Sequence, residues 1–229
     1  VEARVREIQV HGLTAASAEP GRVAPNLAGI DPADLHRGVV LTADPDVCET
    51  SRVVVALARP LPDRSRGRLH LGTAATDVAV GRSGHDAIDL EDGRAIVTLR
   101  LTDTIAVRPG DRFVIRRSGG SDPIVGGIAL DPDPPRGVSR RRGTSARLAA
   151  TVAAVSGGDA AARRGARLDR HGVLVDGGSV ALAADVAGLA ADAAIEAVPA
   201  EATSGAVRNA IGRAIRRVAT VRRDDLGVV

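Results

Sequence analysis

Short runs in which apolar and polar residues alternate fill the first 130 positions, a pattern typical of β-strands. The run Arg4–Val10 ends at His11-Gly12, and the run Arg22–Leu27 ends at Ala28-Gly29. Each ending is a turn signal, so two short strands are predicted. Asp31 before Pro32 predicts the capped start of a short helical segment or turn.

The middle of the chain predicts a second all-β unit, introduced by a strand at 39–41 and a linker at 44–51. Its runs are apolar or alternate with polar residues, and they follow one another at short spacing. The predicted strands are 52–57, 69–72, 78–80, 95–101, 112–116 and 124–130. Turns are predicted at 109–111 and 119–120. Many short strands with frequent turns indicate a barrel or a sandwich.

The pattern changes to a helical one after the proline-rich segment 131–136, which forms a stiff boundary. Thr144 or Ser145 can cap a helix that carries three apolar residues on one face: Leu148, Val152 and Val155. A second helix is predicted at 179–194 and a third at 207–218. A hairpin over 219–229 would then complete the closing half of a winged helix-turn-helix.

Composition limits the chemistry available to these 229 residues. Hydrophobic residues make up 44% and charged residues 26%, as in ordinary globular proteins. Phe113 is the one aromatic residue, and all 31 basic residues are arginine, against 28 acidic residues. The net charge of +3 permits local nucleic-acid-binding patches without requiring them. The absence of methionine suggests a piece of a longer protein.

Catalytic and metal-binding motifs are missing from the sequence. It contains no phosphate-binding loop of the G-x-x-x-x-G-K-[ST] type and no H-E-x-x-H, C-x-x-C or G-x-S-x-G motif. Five scattered histidines lack metal-ligand spacing, and the lone Cys48 fits a reducing compartment. No catalytic residue and no metal ligand is therefore predicted. The sequence contains no run of about 18 apolar residues, so no membrane-spanning helix is predicted.

Three stretches, taken in order, carry a resemblance to a known family. They are VREIQVHG with GRVAPNLAG and LHRGVVL in residues 5–41, GDRFVIR at 110–116, and IVGGIALDP with PPR at 124–136. Together they resemble the selenocysteine-specific elongation factors, the SelB-type relatives of EF-Tu among the translational GTPases. The resemblance covers about residues 1–136, and residues 137–229 are similar to the family only in pattern.

The resemblance implies a mostly β fold with a C-terminal α/β part, in which EF-Tu-like β-barrels precede a winged-helix-like region. Residues 1–46 would be the C-terminal part of the domain 2 barrel, 51–136 the domain 3 barrel, and 145–229 the winged-helix-like region. The G domain would lie outside this segment, so no cofactor is expected here. GTP and Mg would belong to the parent protein, and this segment alone would not hydrolyse GTP.

The implied parent is a cytoplasmic factor that carries selenocysteyl-tRNA to the ribosome for UGA recoding, with no membrane partner. An mRNA hairpin would be bound by modules absent here. Arg22 matches the family's arginine in the pocket for the aminoacyl end, where a cation would favour an ionised selenol over a neutral hydroxyl. Asn26 could orient the backbone or tRNA in the same pocket. Pro25 departs from the family's apolar strand residue and predicts that its strand is either an edge strand or locally broken.

Two further arginine groups are candidate contacts to RNA phosphates. Arg64, Arg66 and Arg68 could lie along one side of the second barrel, and Arg140, Arg141 and Arg142 follow the proline boundary. Contacts of this kind supply salt-dependent affinity rather than sequence choice. Almost complete absence of aromatic residues argues against base stacking.

Three alternatives stay open from the sequence. The first is another EF-Tu-like GTPase, such as the sulfate-activating type, which would lack the winged-helix tail. The second is a winged-helix DNA-binding regulator that uses the helix at 207–218. The third is a barrel-based adaptor that binds proteins and has no salt-dependent affinity for RNA.

Overall fold

The computed structural model describes residues 3–81, 87–116, 125–134, 142–176 and 179–183. The chain divides into two compact units, residues 1–39 and residues 40–229. We call them the N-terminal unit and the barrel unit, and each is described by itself. The predicted domain boundaries at 46, 51, 136 and 145 stay predictions.

The N-terminal unit contains a three-stranded antiparallel sheet in the order β2-β1-β3. Its strands are β1 (Arg4–Val10), β2 (Leu13–Ala15) and β3 (Ala24–Ala28). His11 and Gly12 both adopt positive φ, 52° and 80°, as a tight two-residue hairpin requires. A 3₁₀ turn follows at Pro32–Asp34, where the Asp31 side chain accepts a hydrogen bond from the backbone N–H of Ala33. The predicted cap is therefore confirmed.

Pro25 lies in β3 opposite Ile8, at the edge of the described sheet. A proline cannot donate a hydrogen bond to a further strand, which explains its position at an edge. The expected edge strand is thus confirmed. The predicted strand at 39–41 is wrong, because these residues have no regular structure.

Among the described residues of the barrel unit, seven strands form one sheet. They are β4 (Cys48–Leu57), β5 (Arg66–Leu71), β6 (Ala74–Val80), β7 (Ala87–Asp89), β8 (Ala95–Val107), β9 (Arg112–Arg116) and β10 (Val125–Asp131). Their order is β4-β10-β9-β5-β6-β8-β7, and β4 also pairs with β8. This second pairing closes six antiparallel strands into a barrel, and β7 pairs with β8 at residues 95–97, next to the part of β8 that pairs with β6. The predicted mostly β fold with a barrel is confirmed.

Alternating residues of the strands fill the barrel with aliphatic side chains. Val53, Val55 and Leu57 of β4 point into the same core as Leu69 of β5 and Ile115 of β9. The side chains on the opposite face of β4 lie outside this core, so inward-facing and outward-facing residues alternate along the strand, as in other small barrels. The linker predicted at 44–51 is wrong at its end, because β4 already begins at Cys48, which pairs with Val107 of β8.

Two helices and a hairpin follow the barrel. They are α1 (Ser145–Gly157), α2 (Ala160–His171), β11 (Val173–Asp176) and β12 (Ser179–Leu182). Thr144 caps α1 by accepting a hydrogen bond from the N–H of Arg147, as predicted. The predicted apolar residues of α1, namely Leu148, Val152 and Val155, are buried against the outer wall of the barrel.

The helix predicted from residue 179 is wrong at its start. Ser179–Leu182 form β12, which pairs with β11 in an antiparallel hairpin. The alanine-rich sequence favours a helix locally, but pairing with a neighbouring strand overrides that weak preference. Residues 184–194 of that predicted helix, the helix at 207–218 and the hairpin at 219–229 lie outside the described residues.

Candidate nucleic-acid interface

The structure places Arg22 and Asn26 on exposed parts of the N-terminal unit. Arg22 lies in the irregular segment before β3, and Asn26 lies in β3 directly opposite Glu7. Thr14 and Gln9 donate hydrogen bonds to the carboxyl group of Glu7. Both bonds lower the pKa of that carboxyl group, and the bond from Thr14 has the larger effect. Asn26 therefore has an ionised carboxylate as its cross-strand neighbour.

An open depression of about 620 Å³ lies in the same unit. Its described lining consists of residues from the start of β1 and from the end of β3, namely Ala3, Arg4, Val5, Ala28 and Gly29. Arg22 and Asn26 are not in this lining. Their role in binding an aminoacyl end stays a prediction.

Arg66 and Arg68 are exposed on the outer face of β5, with the buried Gly67 between them. This placement follows from the two-residue repeat of a strand, which puts alternate side chains on one face. Arg64 lies in the preceding turn, where its φ of 57° is in the left-handed region. Arg64 thus lies just before the start of β5, and Arg66 and Arg68 lie on its outer face.

Strand pairing adds further arginines to this outer face. Arg66 is opposite Ala79, Ala79 is opposite Arg100, and Arg100 is opposite Arg52. Residues directly opposite one another share a face of the sheet, so this row carries three arginines across four strands. Neighbouring strands are about 5 Å apart, which separates Arg66 from Arg100 by about 10 Å.

A second row runs beside the first. Arg116 of β9 is opposite Arg68, which is opposite Asp77 of β6. The guanidinium of Arg68 donates a hydrogen bond to Asp77 over 3.2 Å, and both side chains are more than half exposed. Asp77 is the one carboxylate in these two rows. We call the five arginines of the rows the arginine face: Arg52, Arg66, Arg68, Arg100 and Arg116.

The sequence analysis identified Arg66 and Arg68 of the arginine face. It did not identify Arg52, Arg100 or Arg116. Arg100 occupies a polar position in the alternating run of β8, and Arg116 ends the run of β9. That alternation indicates that each points outward. Which of them share a row depends on the register between strands far apart in the sequence.

Arg142 is engaged in a contact within the barrel unit. Its Nε and Nη2 donate hydrogen bonds to the backbone oxygen of Asp169 over 2.9 and 2.7 Å, and its side chain is 16% exposed. Arg147 also binds the Asp169 carboxylate, over 3.0 Å. Arg140 and Arg141 lie outside the described residues. Contacts from Arg140, Arg141 and Arg142 to RNA stay a prediction.

The sequence analysis also missed a buried ionic cluster, which we call the buried cluster: Asp131, Arg170 and His171. Asp131 Oδ2 lies 3.0 Å from Nη1 of Arg170 and 2.8 Å from Nε2 of His171. Burial alone would raise the pKa of Asp131, but His171, Arg170 and Arg167 together outweigh it and hold that pKa well below its usual range. No local signal joins residues 40 positions apart.

Within the described residues, no group of three or more histidine, cysteine, aspartate or glutamate side chains could hold a metal ion. None of the described helices combines the length and apolar character needed to cross a membrane. The buried cluster is closed to solvent, with side chains at most 6% exposed. The arginine face, with five arginines and one carboxylate in two neighbouring rows, carries the charge needed to bind a polyanion.

No protein-family model and no curated protein matches the sequence. The structure is similar to two structures of translation elongation factor SelB from Methanococcus maripaludis, the apo form and the complex with the GTP analogue GppNHp. The identities are 17% and 18%, and the TM-scores are 0.46 and 0.47. Both alignments cover 58% of this chain and 34% of the SelB chain, so this chain spans about a third of the length of those proteins.

Proposed function

We propose that this chain is the RNA-holding part of a translation elongation factor and that its ligand is selenocysteyl-tRNA. Two observations support the proposal. Three ordered stretches of the sequence resemble the SelB-type family, and six described strands between Cys48 and Asp131 form a closed antiparallel barrel, as the resemblance implies. In this proposal GTP and Mg are bound by a G domain, and the ribosome and an mRNA hairpin are further partners of the whole factor.

The arginine face is the observation that supports RNA binding most directly. Arginine pairs bidentately with phosphate oxygens, and rows of arginines along a rigid sheet match a ligand with regularly spaced charges. The lone aromatic residue, Phe113, is 4% exposed in the barrel core and is not available to stack on bases. The interface therefore holds the RNA backbone and does not read single-stranded bases.

Replacement of three arginines of the face should weaken RNA binding strongly. We expect the triple variant Arg66→Gln, Arg100→Gln, Arg116→Gln to bind a selenocysteine tRNA transcript at least tenfold more weakly at about 50 mM salt. The slope of log affinity against log salt should become shallower by about one unit for each phosphate that the variant no longer neutralises. Fluorescence anisotropy titrations at about 50, 100 and 200 mM salt measure both quantities.

A matched triple variant separates this local effect from net charge. Arg37→Gln, Arg59→Gln, Arg164→Gln removes the same three charges from exposed positions elsewhere and also reduces the formal net charge from +3 to zero. Its affinity and salt slope should stay near those of the wild type. Equal weakening by both triple variants would contradict the interface. Tighter binding of duplex DNA than of tRNA would favour the DNA-binding regulator instead.

Arg22 is the proposed determinant of selenocysteine over serine. A selenol is ionised near neutral pH, whereas the hydroxyl of serine is neutral, so a fixed guanidinium favours the former. The support comes from the match of Arg22 to the family's pocket arginine and from its exposure, which leaves the side chain accessible to a ligand.

Replacement of Arg22 should reduce this discrimination. In the full-length factor, we expect Arg22→Ala to lower the preference for selenocysteyl-tRNA over seryl-tRNA about tenfold or more, because the selenolate loses its cation. Filter binding with both charged tRNAs measures the ratio of affinities. Arg6→Ala, an exposed arginine on β1, is the control and should keep the ratio. An unchanged ratio in Arg22→Ala would show that the pocket assignment is wrong while leaving the arginine face untouched.

A further inference from the structure

The helical pair, α1 and α2, is attached to the barrel by two different kinds of contact. α1 packs Leu148, Val152 and Val155 against the apolar outer wall of the barrel. α2 buries two charged or titratable residues instead, Arg170 and His171. Both belong to the buried cluster around Asp131, so the docking of α2 depends on charge balance.

The charged groups around Asp131 come from each element that approaches it. α2 contributes Arg167, Arg170 and His171, and the segment after β10 contributes Asp133. Asp46 and the half-buried Cys48, at the start of β4, lie in the same electrostatic environment. Burial raises the pKa of the Cys48 thiol, and Arg167 partly opposes that effect. The carboxylate of Asp169, also on α2, forms ion pairs with Arg142 and Arg147.

Neutralisation of Asp131 would leave its two partners buried without an anion. Nε and Nη1 of Arg170 are buried and make no hydrogen bond, so the ion pair with Asp131 compensates for the desolvation of that guanidinium. Burial lowers the pKa of Arg170, and Asp131 opposes that effect. A buried cation that loses its partner regains hydration by moving into water.

The barrel does not need α2 for its own core. The sixteen buried residues of that core all belong to the barrel strands and none to the helical pair. We propose that Asp131, Arg170 and His171 form a charge-operated clamp, which holds α2 on the barrel at neutral pH. When the Asp131 carboxylate loses its charge, α2 is released and the barrel stays intact.

The pH range of release follows from the sign of the shift. The pKa of Asp131 is lower in the folded chain than the value of about 3.9 in an unfolded chain. The clamp is therefore fully effective above about pH 4, and it weakens as the pH falls through the lower folded value.

Amide hydrogen exchange on the full chain tests the clamp. At neutral pH we expect Asp131→Asn to raise the exchange rate of the amides in 160–171 at least tenfold, while the amides of β5, β6 and β9 keep their wild-type rates. Asp77→Asn makes the same chemical change in an exposed ion pair and should leave 160–171 protected.

A pH series and a second variant distinguish a clamp from a general stabilising contact. In the wild type, 160–171 should lose protection below about pH 4 before the barrel does, and this step should be missing in Asp131→Asn. His171→Gln keeps a side-chain hydrogen-bond donor beside Asp131 and leaves the ion pair between Asp131 and Arg170 in place, so it should give a smaller increase in exchange. Unchanged protection of 160–171 in Asp131→Asn would overturn the proposal, and so would loss of barrel protection together with that of α2.

Discussion

Phe113→Ala should lower the free energy of unfolding of the barrel by about 4 kcal/mol, because it removes the largest side chain of the core. Phe113 is 4% exposed, and its ring lies over Gly127, its cross-strand partner on β10. Alanine would leave a cavity between β9 and β10 that neighbouring aliphatic side chains fill only in part. Urea unfolding followed by circular dichroism measures the loss, since the chain has no tryptophan or tyrosine.

Val114→Ala provides the control for this prediction. Val114 is the next residue of β9, points outward and is half-buried, so its truncation should change the free energy of unfolding by about 0.5 kcal/mol. A decrease below about 1.5 kcal/mol in Phe113→Ala would mean that the strands close over the vacated space. The lone aromatic residue would then not be the main packing element of this core.

Gly67→Ala should lower the free energy of unfolding by about 3 kcal/mol, because β5 and β9 leave no room for a side chain at position 67. An added Cβ would lie 2.5 Å from the carbonyl oxygen of Arg116 and 2.8 Å from Cγ2 of Ile115. The backbone oxygen cannot turn away as a side chain can, so the two strands must separate. Chemical unfolding measured by circular dichroism gives the change.

Gly126→Ala is the matched control for Gly67→Ala. It introduces the same methyl group in a barrel strand, where the nearest atom to the added Cβ is 3.9 Å away. Its effect on stability should stay below about 1 kcal/mol. Equal stabilities of the two variants would mean that the close approach of β5 and β9 is not a constraint. Gly67 lies between Arg66 and Arg68, so the same variant should also weaken RNA binding.

Much of the barrel could be predicted from residue patterns alone. The alternating runs correctly indicated β1, β9 and the apolar part of β4, and Thr144 correctly marked the start of α1. These elements carry a local signal, since burial of one face imposes the two-residue repeat and an unpaired helix start favours a capping hydroxyl. Errors arose at 39–41, where a short apolar run has no unambiguous period, and at 48–51, which belong to β4. A third error arose at 179–182, where strand pairing overrode a local helical preference.

The candidate interface could be predicted only in part. Arg66 and Arg68 are neighbours on one strand, so sequence spacing sufficed to place them on one face. Arg52 and Arg100 join them through strand pairings between positions 48 residues apart. Register between distant strands is a property of the closed barrel, and no single run of residues contains it.

The sequence by itself determined which residues point inward or outward on strands with a clear alternation, such as β9 and the middle of β8, because that choice follows from local alternation. It also determined the arginine-only basic character, the missing catalytic motifs and the resemblance to a family of translation factors. Only the tertiary structure decided that the arginines form rows and that Asp131 meets Arg170 and His171. The reason is physical: the desolvation that makes a buried charge require a partner exists only after the chain has closed around it.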